Sequence, residues 1–311
     1  MRVIEAFDGP VRAVAVSPDG RFVAATPGNR LAVWHWVSGA EVFRLNRSMP
    51  GVESGVGQLA FAADGSSLVF QTTWGRLERV NPLTGEGARL ASGACAGGIA
   101  VSPDGKTLVA TQAGHQHQVQ LEQWELPSWR PKAGIDFWSP FVRLAFSPNG
   151  EHIAGINSES FELRFAHSGG LNRREEPPRA ERYLPARLRR GMQREEPPRS
   201  SFLTFPRHSE TVVLGWDTEF RVMETRNGNV LKRVPAPGGA FADAAFLGSG
   251  RQLATVDGTG VMRVWSAESW EVVRGYDWGA GGLTCVTAAA DGLAGVCGTD
   301  TGRLVVFDVD E

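Results

Sequence analysis

The sequence predicts an all-β fold, a seven-bladed β-propeller of four-stranded antiparallel blades closed by its own N-terminal strand. Three observations predict it. A pattern of short alternating strands and polar turns recurs seven times in 311 residues, with a period of about forty. Each copy offers four strand-length runs separated by Gly, Pro, Asn or Asp. The last copy stops after its third run, at Asp310-Glu311, and the first is preceded by a spare alternating run, Arg2–Phe7. That spare run can supply the missing outer strand, which leaves no unpaired edge at the seam of the ring.

In the first copy, Val11–Ser17 alternates and ends at Pro18-Asp19-Gly20, a β-turn signal. Phe22–Ala25 follows, then a break at Pro27-Gly28-Asn29, then Leu31–Trp36, the turn Ser38-Gly39 and the run Glu41–Leu45. The first strands of two other copies end the same way, at Ser102-Pro103-Asp104-Gly105 and Ser147-Pro148-Asn149-Gly150. The third strand sets the alignment, because a large apolar residue stands five positions before a Gly or Trp. The pairs are Trp34 with Gly39, Val80 with Gly85, Trp124 with Trp129, Phe165 with Gly170, Met223 with Gly228 and Trp265 with Trp270. Phe307 fills the place in the seventh copy. The intervals are 46, 44, 41, 58, 42 and 42 residues, so one insertion lies after the fourth third-strand.

The Ser-Pro-Asp-Gly turns after Val-x-x-Val-Ala-type strands, with Val264-Trp265-Ser266 and Val306-Phe307-Asp308 ending third strands, resemble the WD-repeat β-propeller family. The resemblance spans the chain, residues 1–311, as one domain. It implies a non-catalytic scaffold that binds a protein or peptide on one propeller face. The sequence departs from the family where a Gly-His pair would precede the first strand; Ala6-Phe7-Asp8-Gly9 stands there instead. The family's buried His–Ser/Thr–Asp–Trp hydrogen-bond set is therefore not rebuilt in full, and blades held mainly by apolar packing are expected.

Composition is that of a water-soluble globular chain, 42% apolar and 21% charged, with a formal net charge of -2. Overall charge gives no nucleic-acid or membrane signature, and no run approaches the ~18 apolar residues of a membrane span. Met1–Asp8 lacks a basic region followed by an apolar stretch, so no secretory leader is expected. Three cysteines, Cys95, Cys285 and Cys297, are too few and too odd in number for a disulfide framework. A bridge between Cys285 and Cys297 and a set of buried free thiols are both open, and a cytoplasmic location is expected. Basic charge is almost all Arg, with Lys only at 106, 132 and 232, a bias of bacterial type.

The insertion occupies about 171–200. It carries nine Arg and five Glu, a formal charge of +4, and Arg-Glu-Glu-Pro-Pro-Arg occurs twice, at 174–179 and 194–199. Pro pairs and mixed charge favour an extended, solvated excursion with at most a short helix near Arg187–Met192. It takes in part of the fourth blade's outer strand. One reading is a tolerated surface loop. The other is a docking arm, with Arg187, Arg189 and Arg190 pairing with carboxylates or phosphates; its glutamates argue against nucleic acid.

Motifs that would carry chemistry are weak. Gly105-Lys106-Thr107 resembles the end of a phosphate loop, but Ala100 stands where the first Gly is required. There is no Gly-x-Ser-x-Gly elbow and no Cys-x-x-Cys pair. His115 and His117 could share a metal, but no further ligand is near in sequence. Aromatic residues are more informative. Trp74, Trp138, Trp216 and Trp278 fall in predicted loops, and the strand order that the resemblance implies would open those loops on one face, with His115, Phe137 and Tyr276. Either the rings fold onto their own blades or they form a binding patch, since exposed aromatics anchor interfaces. The rival reading is a metal-dependent, lactonase-like hydrolase with acidic residues at the channel mouth, for which Asp217, Asp257 and Asp300 lie in suitable loops. No cofactor is expected.

Overall fold

The Pro-Asp-Gly turns are closed by side chains of their own sequence. Ser17 donates its hydroxyl to Asp19 Oδ1 at 2.6 Å and accepts the Phe22 amide at 2.9 Å. Gly20, at φ +68°, donates its N–H to the Ser17 carbonyl. This is a left-handed position that glycine enters without strain. The same knot recurs at Ser102–Asp104 (2.5 Å) and Ser147–Asn149 (2.7 Å). In the second of these three turns the Lys106 amide donates to Asp104 Oδ1. Gly105-Lys106-Thr107 is thus a strand connection rather than a phosphate cradle. The Ser102 hydroxyl and the Lys106 amide hold the Asp104 carboxyl below its ordinary range.

The computed structural model describes residues 1–28, 30–45, 58–71, 77–91, 95–113, 119–137, 143–157, 160–175, 201–207, 210–216, 218–248, 250–289, 292 and 294–308. Strand β1 is Arg2–Glu5. Blade 1 contains β2 (Ala13–Val16), β3 (Phe22–Thr26), β4 (Leu31–His35) and β5 (Glu41–Leu45). Blade 2 contains β6 (Leu59–Phe61), β7 (Leu68–Gln71), β8 (Leu77–Val80) and β9 (Gly87–Ala91). Blade 3 contains β10 (Cys95–Val101), β11 (Thr107–Ala113), β12 (Val119–Glu125) and β13 (Arg130–Phe137). Blade 4 contains β14 (Arg143–Phe146), β15 (His152–Ile156), β16 (Phe161–Phe165) and β17 (Leu171–Glu175). Blade 5 contains β18 (Ser201–Thr204), β19 (Thr211–Trp216), β20 (Glu219–Glu224) and β21 (Val230–Pro235). Blade 6 contains β22 (Phe241–Leu247), β23 (Gln252–Asp257), β24 (Val261–Ser266) and β25 (Val272–Asp277). Blade 7 contains β26 (Leu283–Ala288), β27 (Ala294–Thr299) and β28 (Arg303–Asp308).

Each blade is one antiparallel four-stranded sheet, and the sheet of blade 7 runs β1-β28-β27-β26. Arg2 lies opposite Val306 and Glu5 opposite Arg303, so the spare N-terminal run is the outer strand of the last blade, as its alternation predicts. Inner strands of successive blades pack on one another around the ring, including β26 on β2. Apolar clusters lie between blades, for example Phe7, Val11 and Trp34 of the seam with Leu304 of blade 7.

The third-strand alignment needs one correction. In blades 1 to 6 a carbonyl at the strand end accepts the N–H of a left-handed residue four positions on: His35 from Gly39, Asn81 from Gly85, Glu125 from Trp129, Phe165 from Gly169, Glu224 from Gly228 and Ser266 from Trp270. The core position is the residue before that carbonyl. In blade 4 it is Arg164, not Phe165, and the turn residue is Gly169, not Gly170. Arg164 is buried and Phe165 is 38% exposed. The guanidinium is tolerated because Glu162, itself buried, takes it at 2.9 Å and the Gly169 carbonyl accepts a second bond at 2.8 Å. A scan for large apolar residues passes over an arginine, which is why the alignment slips by one there.

Trp129 and Trp270 adopt φ of 58° and 59°, where four other blades place Gly. Each ring fills space against the preceding blade. The Arg79 guanidinium lies 4.7 Å from the Trp129 ring centroid, and Trp270 packs 6.0 Å from Phe220. Ring burial offsets the backbone strain. Trp270→Gly is expected to cost about 2 kcal/mol and Trp270→Ala about 1 kcal/mol more, because alanine loses the ring and keeps the strain. Urea denaturation of both variants checks the order.

The insertion begins inside β17, which takes residues 171–175. The rest of it lies outside the described residues.

Candidate interaction face

Up-and-down strands place the connections within and between blades on two opposite ends of the ring. Second-to-third-strand loops and blade-to-blade connections share one end, and the Pro-Asp-Gly and third-to-fourth-strand turns share the other. Of the residues proposed for the first end, Trp74, His115, Trp138, Arg187, Arg189 and Arg190 lie outside the described residues. Phe137 is the last residue of β13, opposite Val119.

Trp216 is not a loop residue. It ends β19 and is 1% exposed, packed among Ile156, Phe161, Leu214 and Met223 between blades 4 and 5. Its indole N–H donates to the Asn157 carbonyl at 3.1 Å, and the Arg221 guanidinium lies 5.2 Å from its ring. The Gly-Trp-Asp context reads as a turn, but the strand runs one residue further and turns the ring inward. Trp216 is therefore core, not surface.

Tyr276 and Trp278 are half-buried and stay together. Their rings stack at 5.8 Å, and Trp278 stacks in turn on Phe307 at 5.4 Å. The ring of Trp278 leans into the junction of blades 6 and 7. Phe7 makes the equivalent edge contact with Trp34 at 5.7 Å, one blade further on. Beside the stack is a cleft of about 220 Å³, with Met262 and Val264 in its wall and Gln252, Arg274 and Asp308 among its polar residues. An apolar floor with a few polar groups is how small sites fix and orient a guest.

The structure describes two of the three acidic residues of the hydrolase reading. Asp257 is buried and accepts from Arg263, from the Thr259 hydroxyl and from the Thr259 amide at 2.9 Å. Asp300 is an exposed turn residue beside Gly281 and Gly282, and Asp217 lies outside the described residues. Among the described residues no three His, Cys, Asp or Glu side chains come together in a metal-binding group.

Sequence reasoning missed the polar groups at the centre. Gln58 reaches across from the connection into blade 2. Its Oε1 accepts the amides of Ile99 (3.1 Å) and Leu144 (2.9 Å), and its Nε2 donates to the Leu144 carbonyl at 3.3 Å. Asp243 of β22 accepts the Val286 amide at 3.1 Å and faces Arg143 of β14 at 3.7 Å. Burial pushes the Asp243 carboxyl up, against the pull of Arg143. These side chains cap backbone groups on inner strands, which have no neighbouring strand toward the axis. No spacing in the sequence marks them.

Cys285 and Cys297 are free and buried, on neighbouring strands but not opposite one another. Burial, with the Asp243 charge adding, pushes the Cys285 thiol up to about 12, and burial also raises Cys297. Thiolate is the reacting form. Both are expected to resist iodoacetamide at neutral pH in the native state and to react once denatured, which peptide mapping by mass spectrometry reads directly.

Among the described residues one link resembles the hydrogen-bond set expected from the WD-repeat resemblance: in blade 6 the Trp265 indole donates to Thr255 Oγ1 at 2.9 Å. Elsewhere third-strand residues such as Val80, Met223 and Phe307 pack by contact alone. Residues 1–35 match the family model described as WD domain, G-beta repeat. The match spans β1 to β4, one sequence repeat that straddles the seam between blades 7 and 1. No curated protein matches the chain.

Proposed function

We propose that this chain, a WD40-repeat protein folded as a seven-bladed propeller, is a non-catalytic scaffold that holds a protein or peptide partner. Such propellers typically act in protein interaction. The observation that carries the proposal here is the Tyr276–Trp278–Phe307 stack beside the cleft between blades 6 and 7. Partly exposed aromatics in a recess with a polar margin are the usual anchors of an interface. A partner side chain that is apolar fits the recess, and its backbone would meet Gln252 and Asp308 at the margin. The free thiols of Cys285 and Cys297 support a reducing compartment such as the cytoplasm.

The test is a quantitative pull-down from the native host with wild type and Trp278→Ala, both checked for an intact fold. A partner retained by wild type and depleted at least about tenfold by the variant, the size expected for an aromatic hot spot, supports the site. Equal recovery by both proteins removes it.

A further inference from the structure

The outer strand of blade 4 carries a residue that its ladder does not use. Leu171 lies opposite Arg164 and Arg173 opposite Leu163, so Asn172 between them is the extra residue of a β-bulge. A bulge re-aims its side chain. Blades 1, 5 and 6 have their extra residue at the same register, Val42, Leu231 and Val273, each an exposed aliphatic. Asn172 is instead half-buried and reaches across the junction, where its Nδ2 donates to the Thr225 carbonyl of the blade 5 turn at 2.8 Å. The same Nδ2 lies 3.3 Å from Nε2 of His152, a buried residue of β15.

These contacts fix the state of the imidazole. A carbonyl only accepts, so the Thr225 oxygen requires the amide nitrogen of Asn172. The second N–H of that amide then meets His152 Nε2, which must accept, and the neutral ring carries its proton on Nδ1. Nδ1 has no hydrogen-bond partner among the described residues. Protonation gives the ring a second N–H, aimed at the amide N–H of Asn172. Burial holds His152 below its ordinary range, against the pull of Glu151, the preceding residue. On the other packed elements, Phe165 of β16 lies 5.1 Å from the imidazole and His167 lies 6.1 Å from Phe165. Arg164 is bonded to Glu162, Arg173 to Glu175 and Glu224 to Asn227, while Glu210 and Arg226 are exposed.

We propose that His152 is a proton-operated latch between blades 4 and 5. Its neutral ring holds Asn172 on Thr225. A protonated ring releases that contact, and β17, in which the Arg-rich insertion begins, loosens from blade 5. At the seam between blades 7 and 1 the equivalent hold is Arg2, which donates to the Trp36 and Val37 carbonyls of the blade 1 turn and keeps its charge throughout. Because the folded value lies below the ordinary ~6.5, the latch contributes fully above about pH 6.5 and is lost as pH falls through the folded value. The latch is separate from the cleft between blades 6 and 7, so either can fail without the other.

Hydrogen exchange of the full-length chain at about pH 7.5 and about pH 5.5, corrected for intrinsic rates, tests the latch. Protection of residues 171–175 is expected to fall at least about fivefold at the lower pH, the worth of one hydrogen bond. His152→Gln, which offers Asn172 an acceptor that does not titrate, is expected to remove this pH dependence. Asn172→Ala is expected to lower protection equally at both pH values. Proton–nitrogen NMR of the imidazoles reads the wild type directly, with His152 identified by its absence in His152→Gln or its displacement in Asn172→Ala. It is expected as the Nδ1–H tautomer, titrating below the ordinary range. The proposal is overturned by an Nε2–H tautomer, by titration at or above the ordinary value, by equal protection at both pH values, or by an undiminished pH response in His152→Gln. The wild-type spectra and exchange keep the test decisive even where His152→Gln does not fold.

Discussion

A chain lacking residues 1–7 is expected to lose the cooperative fold, not merely an ordered end. Removal of β1 strips four register pairs from β28 and leaves blade 7 with three strands and a new open edge. It also removes Ala6 and Phe7, both buried in the cluster that joins blade 7 to blade 1, where Phe7 meets the edge of Trp34. The amides of Ala6 and Phe7 both reach the Gly302 carbonyl, at 3.1 and 2.9 Å, and Glu5 pairs with Arg303. Burial of Phe7 alone contributes about 2 kcal/mol. With the ladder and the exposed seam, a loss of roughly 5 kcal/mol or more is expected, comparable to the whole stability of many domains. Thermal unfolding followed by circular dichroism measures it. A melting temperature equal to that of the intact chain would show that the seam does not hold the ring.

Glu162→Ala is expected to be the most damaging single substitution in blade 4. It leaves the buried Arg164 guanidinium without its carboxylate, and breaking a buried pair in this way costs about 3–5 kcal/mol. The pair itself is a different matter. The other third-strand core positions are Trp34, Val80, Trp124, Met223, Trp265 and Phe307, all apolar and all buried. The double variant Glu162→Leu/Arg164→Met gives blade 4 the same kind of core and is expected to lie within about 1 kcal/mol of wild type, since replacing a whole buried pair is often neutral. Urea denaturation of wild type, the single variant and the double variant checks the contrast. A double variant as unstable as the single one would mean that the ion pair, rather than the volume it fills, holds the blade.

The scaffold was readable because its causes are local. Ser17-Pro18-Asp19-Gly20 closes its own turn with its own hydroxyl and carboxylate, the same letters do so again at Ser102, and at Ser147 the side-chain oxygen of Asn149 takes the place of the carboxylate. Alternation in Arg2–Phe7 announces a strand wherever it comes to rest. The aromatic residues were harder. Trp216 and Trp278 look alike in sequence, each beside Asp and Gly, yet one is sealed between blades 4 and 5 and the other leans half-exposed into the junction of blades 6 and 7. The difference lies in the neighbouring blade, where Trp216 meets Asn157 of blade 4 and Trp278 meets Phe307 of blade 7, and no local pattern encodes it.

The same division runs through the whole molecule. Strand count, turn chemistry, the place of the insertion and closure by the first strand follow from near-neighbour hydrogen bonding and period-two patterning, so the chain alone carries them. Which side chain covers each turn depends on pairs such as Gly85 with Phe43, or Gly228 with Arg173. Those pairs meet only when the ring closes and one blade's outer strand is laid against the next blade's turn. The Gln58 bridge between blades belongs to that second class, because packing across a junction is settled by shape and charge on both sides at once.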